Sequence, residues 1–272
     1  MSQPIPQAEI DAAIAYESLM VPALVGAWSP KVADAAGLAA GQRVLDVACG
    51  TGVLAREAAD RVGISGAVTG LDANAGMLEV ARRLAPDLEW HQGTAEALPF
   101  PDGSFDRVVS QFGLMFFPDP AAAIREALRV LSPGGRLVFA VWNSLLNNPA
   151  YADEVELLEQ YAGRAAADAV RAPFVLGDSR ELAELFRAAG AASVAIATDR
   201  EMARFPSVRV MLEADLRGWL PLMGVVLAED QIAEILQRAE EVLRPYVDTD
   251  GTAAFNTSAH IVVARPGSQP GA

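Results

Sequence analysis

A chain of 272 residues, 52% hydrophobic and 21% charged, is long enough for one large α/β domain with insertions or for two small domains, and too apolar to stay disordered. Its net charge of −14, with Lys31 as its single lysine and no run of basic residues, sets it against nucleic acid, whose binding rests on cations paired with phosphates. Cys49 alone excludes an intramolecular disulfide or a multi-cysteine metal site. A start of "MSQPIPQAEIDAA", and no apolar run near about 18 residues, predict a cytoplasmic location without a membrane-spanning helix.

In chain order, residues 1–40 read as a helical lid segment, with Ile10, Ile14, Leu19 and Val32 among alanines and interruptions at Pro22 and Pro30. From 41 to 142 short β-like runs alternate with helical ones. Strands are expected at 43–48, 67–72, 88–92, 105–111 and 135–142, with helices at 53–62, 74–85 and 119–131 between them. Asp119-Pro120 supplies a helix start and "SPGG" (132–135) a stop. Residues 143–178 hold an inserted amphipathic stretch. The core resumes over 179–205, where Asp178 and Glu181 have capping-box spacing and "SVAIAT" (193–198) reads as a strand. A second helical insertion fills 206–252. The last strand falls within 253–266, around "AHIVVARP" (259–266), and 267–272 is a polar tail expected to be disordered. Strands buried between crossover helices imply a doubly wound, mostly parallel α/β sheet, with N-terminal helices and helical cap insertions added to it.

The stretch "VLDVACGTGVLAREAA" (44–59) places a glycine turn between a strand and a helix, where loop amides and the helix N-terminus face a nucleotide-like ligand. Gly50-x-Gly52-x-x-Ala55 would serve NAD, making a nicotinamide-dependent oxidoreductase one reading. Asp46 points elsewhere, because a carboxylate beside a pyrophosphate is repulsive, whereas one beside a cationic amino acid ligand is attractive. Asp72, ending the second strand, suits ribose hydroxyls in either case.

"VLDVACGTG", "VTGLDANAGMLEVAR", "GTAEALPFPDGSFDRVVS" and "ALRVLSPGGRLVFA" occur in order. Together they resemble the class I S-adenosylmethionine-dependent methyltransferases, closest to the ubiquinone/menaquinone-biosynthesis branch. The resemblance implies a Rossmann-like sheet of seven strands with the last antiparallel, and S-adenosylmethionine as cofactor. It places the loop of Ala48, Gly50, Thr51 and Gly52 under the methionine part, Asp46 near its amino group and Asp72 on the ribose. Ala73 and Met77 would flank the adenine, Thr94, Ala95 and Glu96 would line its edge, Gln111 would contact the methionine end, and Phe112 would face the transfer site. Ala48 stands where many members carry glycine.

Outside these motifs, His260 is a candidate general base or a hydrogen-bonded structural residue. Cys49 reads as a small buried residue, and Trp219, Met211 and Met223 as core. Tyr16 and Trp28 on the N-terminal segment and Trp142 at the end of the fifth strand are candidate acceptor contacts. The expected function is methyl transfer to a small, fairly hydrophobic acceptor such as a phenol, quinol or polyketide-like compound. The expected partners are that acceptor and a possible second copy of the chain, with no metal and no nucleic acid. A fold relative that binds the cofactor without methyl transfer keeps every motif.

Overall fold

Along β1 (Arg43–Val47), Val44 packs to one face while Leu45 and Val47 pack to the other, and Val138 and Ala140 of β5 (Leu131–Trp142) alternate likewise with Leu137, Phe139 and Val141. Such strands stabilise a fold only when both faces are covered. The computed structural model, describing residues 5–267, covers them on both sides. α2 (Ser29–Ala36) and α3 (Val53–Val62) lie on one face, and α5 (Pro120–Arg129) and α8 (Ser179–Ala188) on the other. With β2 (Ala67–Asp72), β3 (Glu89–Gln92), β4 (Phe105–Gln111), β6 (Ala191–Phe205) and β7 (Ala253–Pro266) the sheet runs β3-β2-β1-β4-β5-β7-β6. Only β7 is antiparallel. The seven-stranded, mostly parallel sheet is therefore the one expected. "SPGG" does not precede β5 but lies within it as an irregularity, where the register with β4 jumps from Leu131 to Arg136 and Gly134 takes φ +80°. Among the tail residues 267–272, all but Gly267 lie outside the described residues.

Two features depart from the sequence reading. Pro22 does not interrupt the N-terminal helix: α1 (Gln7–Ala15) continues as a π-helical stretch, Tyr16–Val25, that absorbs the proline lacking an N–H. The resulting run Gln7–Ala36 reaches a mean hydropathy of 1.4 over its most apolar window, so by length and composition a spanning-length helix does exist. It instead packs along the fold, with Val21, Leu24, Trp28, Val32 and Ala36 buried against the sheet and cap. Second, β6 and β7 run well past 193–198 and 259–266. β5 pairs with β7 only as far as Trp142↔Ala259; beyond it Arg200–Phe205 and Ala253–Ser258 form a two-stranded ribbon. The ribbon buries Ala203, Phe205, Ala253, Phe255 and Thr257 on its inner side, while charged residues on its outer side mask the alternation.

That inner side carries the cap. Between β5 and α8 stand α6 (Pro149–Tyr161) and α7 (Arg164–Arg171). Between β6 and β7 stand α9 (Val208–Ala214), a π-helical turn Asp215–Trp219, the single turn α10 (Leu220–Leu222) and α11 (Glu229–Val242). Their apolar sides join Val21, Leu24, Trp28, Trp142 and Phe255 in one cluster. α4 (Ala75–Leu84), capped by Asn74, lies against α1, and a Cβ at Gly76 would fall 2.6 Å from the Glu9 carbonyl oxygen.

Candidate cofactor and acceptor site

The loop leaving β1 alternates left-handed residues: Ala48 at φ +56°, Gly50 at +55° and Gly52 at +85°. Such alternation turns backbone amides inward into a concavity for a ligand. Ala48 tolerates a conformation that costs it roughly 1 kcal/mol relative to glycine, a local strain held by the strand on one side and the loop on the other. Gly52, at the N-terminus of α3, has a second reason to be glycine: a Cβ there would lie 2.5 Å from the Trp90 ring. Trp90 fills the space beneath the loop, between Gly52 and Gly70, and donates its indole N–H to the Ala85 carbonyl at 2.9 Å.

Asp72 clasps this loop. One carboxylate oxygen accepts from Gly50 N and the other from Asn74 N, both at 2.8 Å, tying the glycine turn to the start of α4. Each oxygen keeps a further lone pair. Asp46 is 1% exposed, and its Oδ2 has no partner; burial first, then Asp72, holds its carboxyl well above the usual range, against a backbone amide at Ala55. Burial also raises Asp72, partly countered by the amides of Asn74, Gly50 and Ala73. Thr51 Oγ1, Ser110 Oγ and Gln111 Oε1 are likewise buried without partners. Gln111 spends its amide donor on the Val25 carbonyl at 2.9 Å, which fixes the N-terminal segment to the end of β4. Unpartnered buried oxygens around an inward-facing loop suit a ligand that brings donors and positive charge.

Tyr16 stands at this mouth, its phenol pushed up by burial and then by Glu17, Asp72 and Asp46. Next to it Glu17 accepts from Arg56 Nη2 at 2.7 Å while Arg56 Nη1 donates to the Thr51 carbonyl at 2.7 Å. One guanidinium thus joins the N-terminal helical run to the glycine loop, a role the sequence reading missed. Its trace there is small: Arg56 is the only basic residue in the first half of α3. Ala73 and Thr94 are exposed and Met77 and Glu96 partly so, forming the rim beyond Asp72. Gly93 N donates to the Asp72 carbonyl at 3.0 Å, which brings 94–96 beside β2; Ala95 is buried among the α5 side chains.

Phe112, at φ +59°, stacks on Trp142 with ring centroids 3.7 Å apart and planes 3° from parallel. Trp28 meets both edge-on at 5.9 and 5.8 Å. The structure therefore joins Trp28 and Trp142 but corrects the direct contact expected of Trp28. Trp28 is fully buried, and one face of Trp142 is already taken by Phe112. His260 needs the same correction. Its Nε2 faces the Gly177 carbonyl at 3.0 Å and must donate, so Nδ1 accepts from the Thr198 hydroxyl at 2.8 Å. Neither ring nitrogen is left for a substrate proton, and the side chain is buried between β5 and β6 partners.

A doubly wound sheet of this strand order, with its glycine turn after β1 and an acid ending β2, defines the nucleotide-binding class to which class I methyltransferases belong. Residues 45–139 match the Methyltransferase domain family. Over 183 residues the chain is 36% identical to the demethylmenaquinone methyltransferase of Lactococcus lactis, covering 61% of this chain and 72% of that one. The Renibacterium salmoninarum demethylmenaquinone methyltransferase is 49% identical over 113 residues, 42% of this chain and 46% of its own length. The match thus spans under half of that relative. Among solved structures, the YcgJ protein of Bacillus subtilis shares the fold at 22% identity, with a TM-score of 0.57 over 88% of this chain and 98% of that one. The chain belongs to the class I S-adenosylmethionine-dependent methyltransferases, in the ubiquinone/menaquinone-biosynthesis-type branch.

Proposed function

We propose that the chain binds S-adenosylmethionine at the carboxyl ends of β1, β2 and β4 and passes its methyl group in line to a small, fairly hydrophobic acceptor such as a phenol, quinol or polyketide-like compound. The observation that carries this reading is the set of unpartnered, buried oxygens at Asp46, Thr51 and Gln111 around the left-handed loop 48–52. Asp46 offers its free oxygen to the cofactor's ammonium group, and the amides of the glycine loop take its carboxylate. Asp72 uses its remaining lone pairs for the ribose hydroxyls. Ala73 and Met77 flank the adenine, with Thr94, Ala95 and Glu96 at its edge. The bound sulfonium supplies an electrophilic methyl carbon, so the protein's work is to align the acceptor and exclude water. Phe112 and the cap over it do both. With His260 engaged on both sides, no base is assigned among the described residues, which suits an acceptor whose nucleophile needs none or enters the site already deprotonated.

Thermal unfolding with S-adenosylmethionine, S-adenosylhomocysteine and NADH in separate samples tests the reading. Ligand at about 100 times its Kd adds about 2.7 kcal/mol, a rise of roughly 5–10 °C for a chain of this size. The expected result is a rise with the two sulfur nucleotides only. A rise with NADH alone overturns the proposal, and sulfur-nucleotide binding without S-adenosylhomocysteine release from any acceptor in a phenol, quinol and polyketide panel overturns the transfer step.

A further inference from the structure

The N-terminal run is tied to the candidate site at two points, and each tie leaves one oxygen unused. Near the start of the π-helical stretch Tyr16–Val25, Glu17 Oε1 accepts from Arg56 Nη2 at 2.7 Å, and the same guanidinium donates through Nη1 to the Thr51 carbonyl at 2.7 Å. At the other end of the stretch, the Val25 carbonyl accepts from Gln111 Nε2 at 2.9 Å. Glu17 Oε2 and Gln111 Oε1 are buried and have no partner among the described residues, and Asp46 Oδ2 at the end of β1 has none either. Three separate elements thus each bring one open acceptor to the surroundings of the loop 48–52. A desolvated acceptor without a donor is costly to keep, and a set of them suits a ligand rich in donors.

We infer that Glu17 is a cofactor-binding residue carried by the N-terminal run, its free oxygen accepting, together with Asp46, from the ammonium group of S-adenosylmethionine. The inference rests on the methyl-transfer reading above and adds to it a residue outside the matched segment 45–139. Position selects the ammonium among the cofactor's donors. Arg56 holds Glu17 beside the Thr51 carbonyl, in the loop proposed to lie under the methionine part, whereas the ribose hydroxyls fall to Asp72 and the adenine to the rim beyond it. The donor count agrees: an ammonium carries three N–H groups, and the one free oxygen of Asp46 takes only part of them. Glu17 Oε2 and Gln111 Oε1 supply acceptors for the rest.

The arrangement makes the seating of the N-terminal run depend on the amino-acid end of the ligand. Without a donor there, the run holds Glu17 Oε2 and Gln111 Oε1 desolvated and unpaired; an ammonium completes both ties at once. Arg56 prepares the contact, because a planar guanidinium that already fixes the carboxylate leaves less side-chain freedom to be lost on binding. The pair is 28% and 22% exposed, so water screens part of the gain and the expected effect is set accordingly.

Two ligands that differ in one group test it: S-adenosylhomocysteine and its deamino analogue 4-(5′-adenosylthio)butanoate, in which hydrogen replaces the ammonium, titrated by calorimetry into the full chain. The unaltered protein should bind S-adenosylhomocysteine more tightly than the analogue by about tenfold or more, the scale of one hydrogen bond to a charged group. Glu17→Gln still offers Arg56 an oxygen but turns an amide N–H toward the ammonium, so it should lower that preference by about fivefold or more. Glu17→Ala, which offers nothing to either neighbour, should lower it by a similar factor. A preference that falls by less in both variants, including one retained because both ligands weaken alike, makes Glu17 a tether only and overturns the inference. An unaltered protein that binds the two ligands equally overturns it without recourse to a variant. A protein that binds neither ligand refutes the cofactor reading itself, so the two failures are told apart at the first titration.

Discussion

Replacing Asp72 with alanine separates two roles that one carboxylate plays. The side chain accepts from Gly50 N and from Asn74 N at 2.8 Å each, so the substitution takes the acceptor from two backbone amides at once. Hydrogen bonds to a charged group are worth roughly 1.5–3 kcal/mol apiece. Burial works against the charge here, as the upward push on its carboxyl shows, and water reaches this half-buried position to take over part of the lost bonding. The net loss should be about 2–3 kcal/mol of folding stability, read as a lower midpoint at unchanged slope in urea unfolding. Loss of the proposed ribose contact should separately weaken S-adenosylhomocysteine by roughly 1–3 kcal/mol, or about 5- to 150-fold in Kd by calorimetry. Asp72→Asn, which retains one acceptor and turns a donor toward the other amide, should fall between parent and alanine on both scales. A destabilised Asp72→Ala protein with unchanged S-adenosylhomocysteine affinity would make Asp72 a loop clasp only, and an unchanged unfolding curve would refute the clasp as well.

Other substitutions probe the neighbouring devices. His260→Gln should cost about 1–3 kcal/mol, because Thr198 and the Gly177 carbonyl lose a buried partner, and should leave cofactor affinity unchanged. A fall in turnover of about 100-fold with folding and binding intact would restore His260 as a base. Glu17→Gln breaks the pair with Arg56, whose side chains are 22% and 28% exposed, so stability should change by less than about 1 kcal/mol. Release of S-adenosylhomocysteine in stopped-flow should nevertheless quicken several-fold, and an unchanged rate would show that the lid is not latched there. Asp215 carries a pH signature: burial raises its carboxyl from 3.8 to about 7. Below about pH 4 both folded and unfolded chains hold this proton and it contributes nothing; as pH climbs toward 7 the unfolded chain ionises first and stability falls, levelling above that. Asp215→Asn should therefore gain in Tm over the parent as pH rises from 5 to 7, and a difference that stays flat across that window would refute the burial argument.

How far the sequence could be read depended on where each signal lay. The sheet was legible because its strands and glycine turns are local: "VLDVACGTG" states a buried strand and the left-handed turn in nine residues. Asp46 and Asp72 were legible for the same reason, as strand-end acids beside that turn. What escaped depends on residues far apart in the chain. Arg56 looks like a solvated helix residue until Glu17, 39 positions earlier, is brought beside it. Trp90 reads as one more strand residue, although it is the floor under Gly52 and Gly70. Glu154 sits in "YADEVELLEQY", where the acids look like the solvent side of a helix; the packing of α7 and α11 against α6 encloses it in the cap. Pro22 misled for a different reason, since a proline warns of a lost hydrogen bond but does not say whether the helix breaks or widens.

The position of the cap over the mouth follows from topology more than from any contact. β5 ends at Trp142 on the carboxyl side of the sheet, so the insertion before α8 must begin there. β6 is parallel to β5 and β7 is antiparallel to both, so the turn between them also falls on the carboxyl side, and the ribbon beyond Ala259 carries it outward. The glycine loop and Asp72 lie at that same end because the ligands of open α/β sheets sit outside the carboxyl ends of their strands. Both insertions are therefore delivered to the end of the sheet that carries the candidate site, whatever their sequences. The stretch that matches the family, 45–139, contains the loop, Asp72 and Phe112 but neither insertion. The candidate cofactor residues and the cap are thus written in separate parts of the chain.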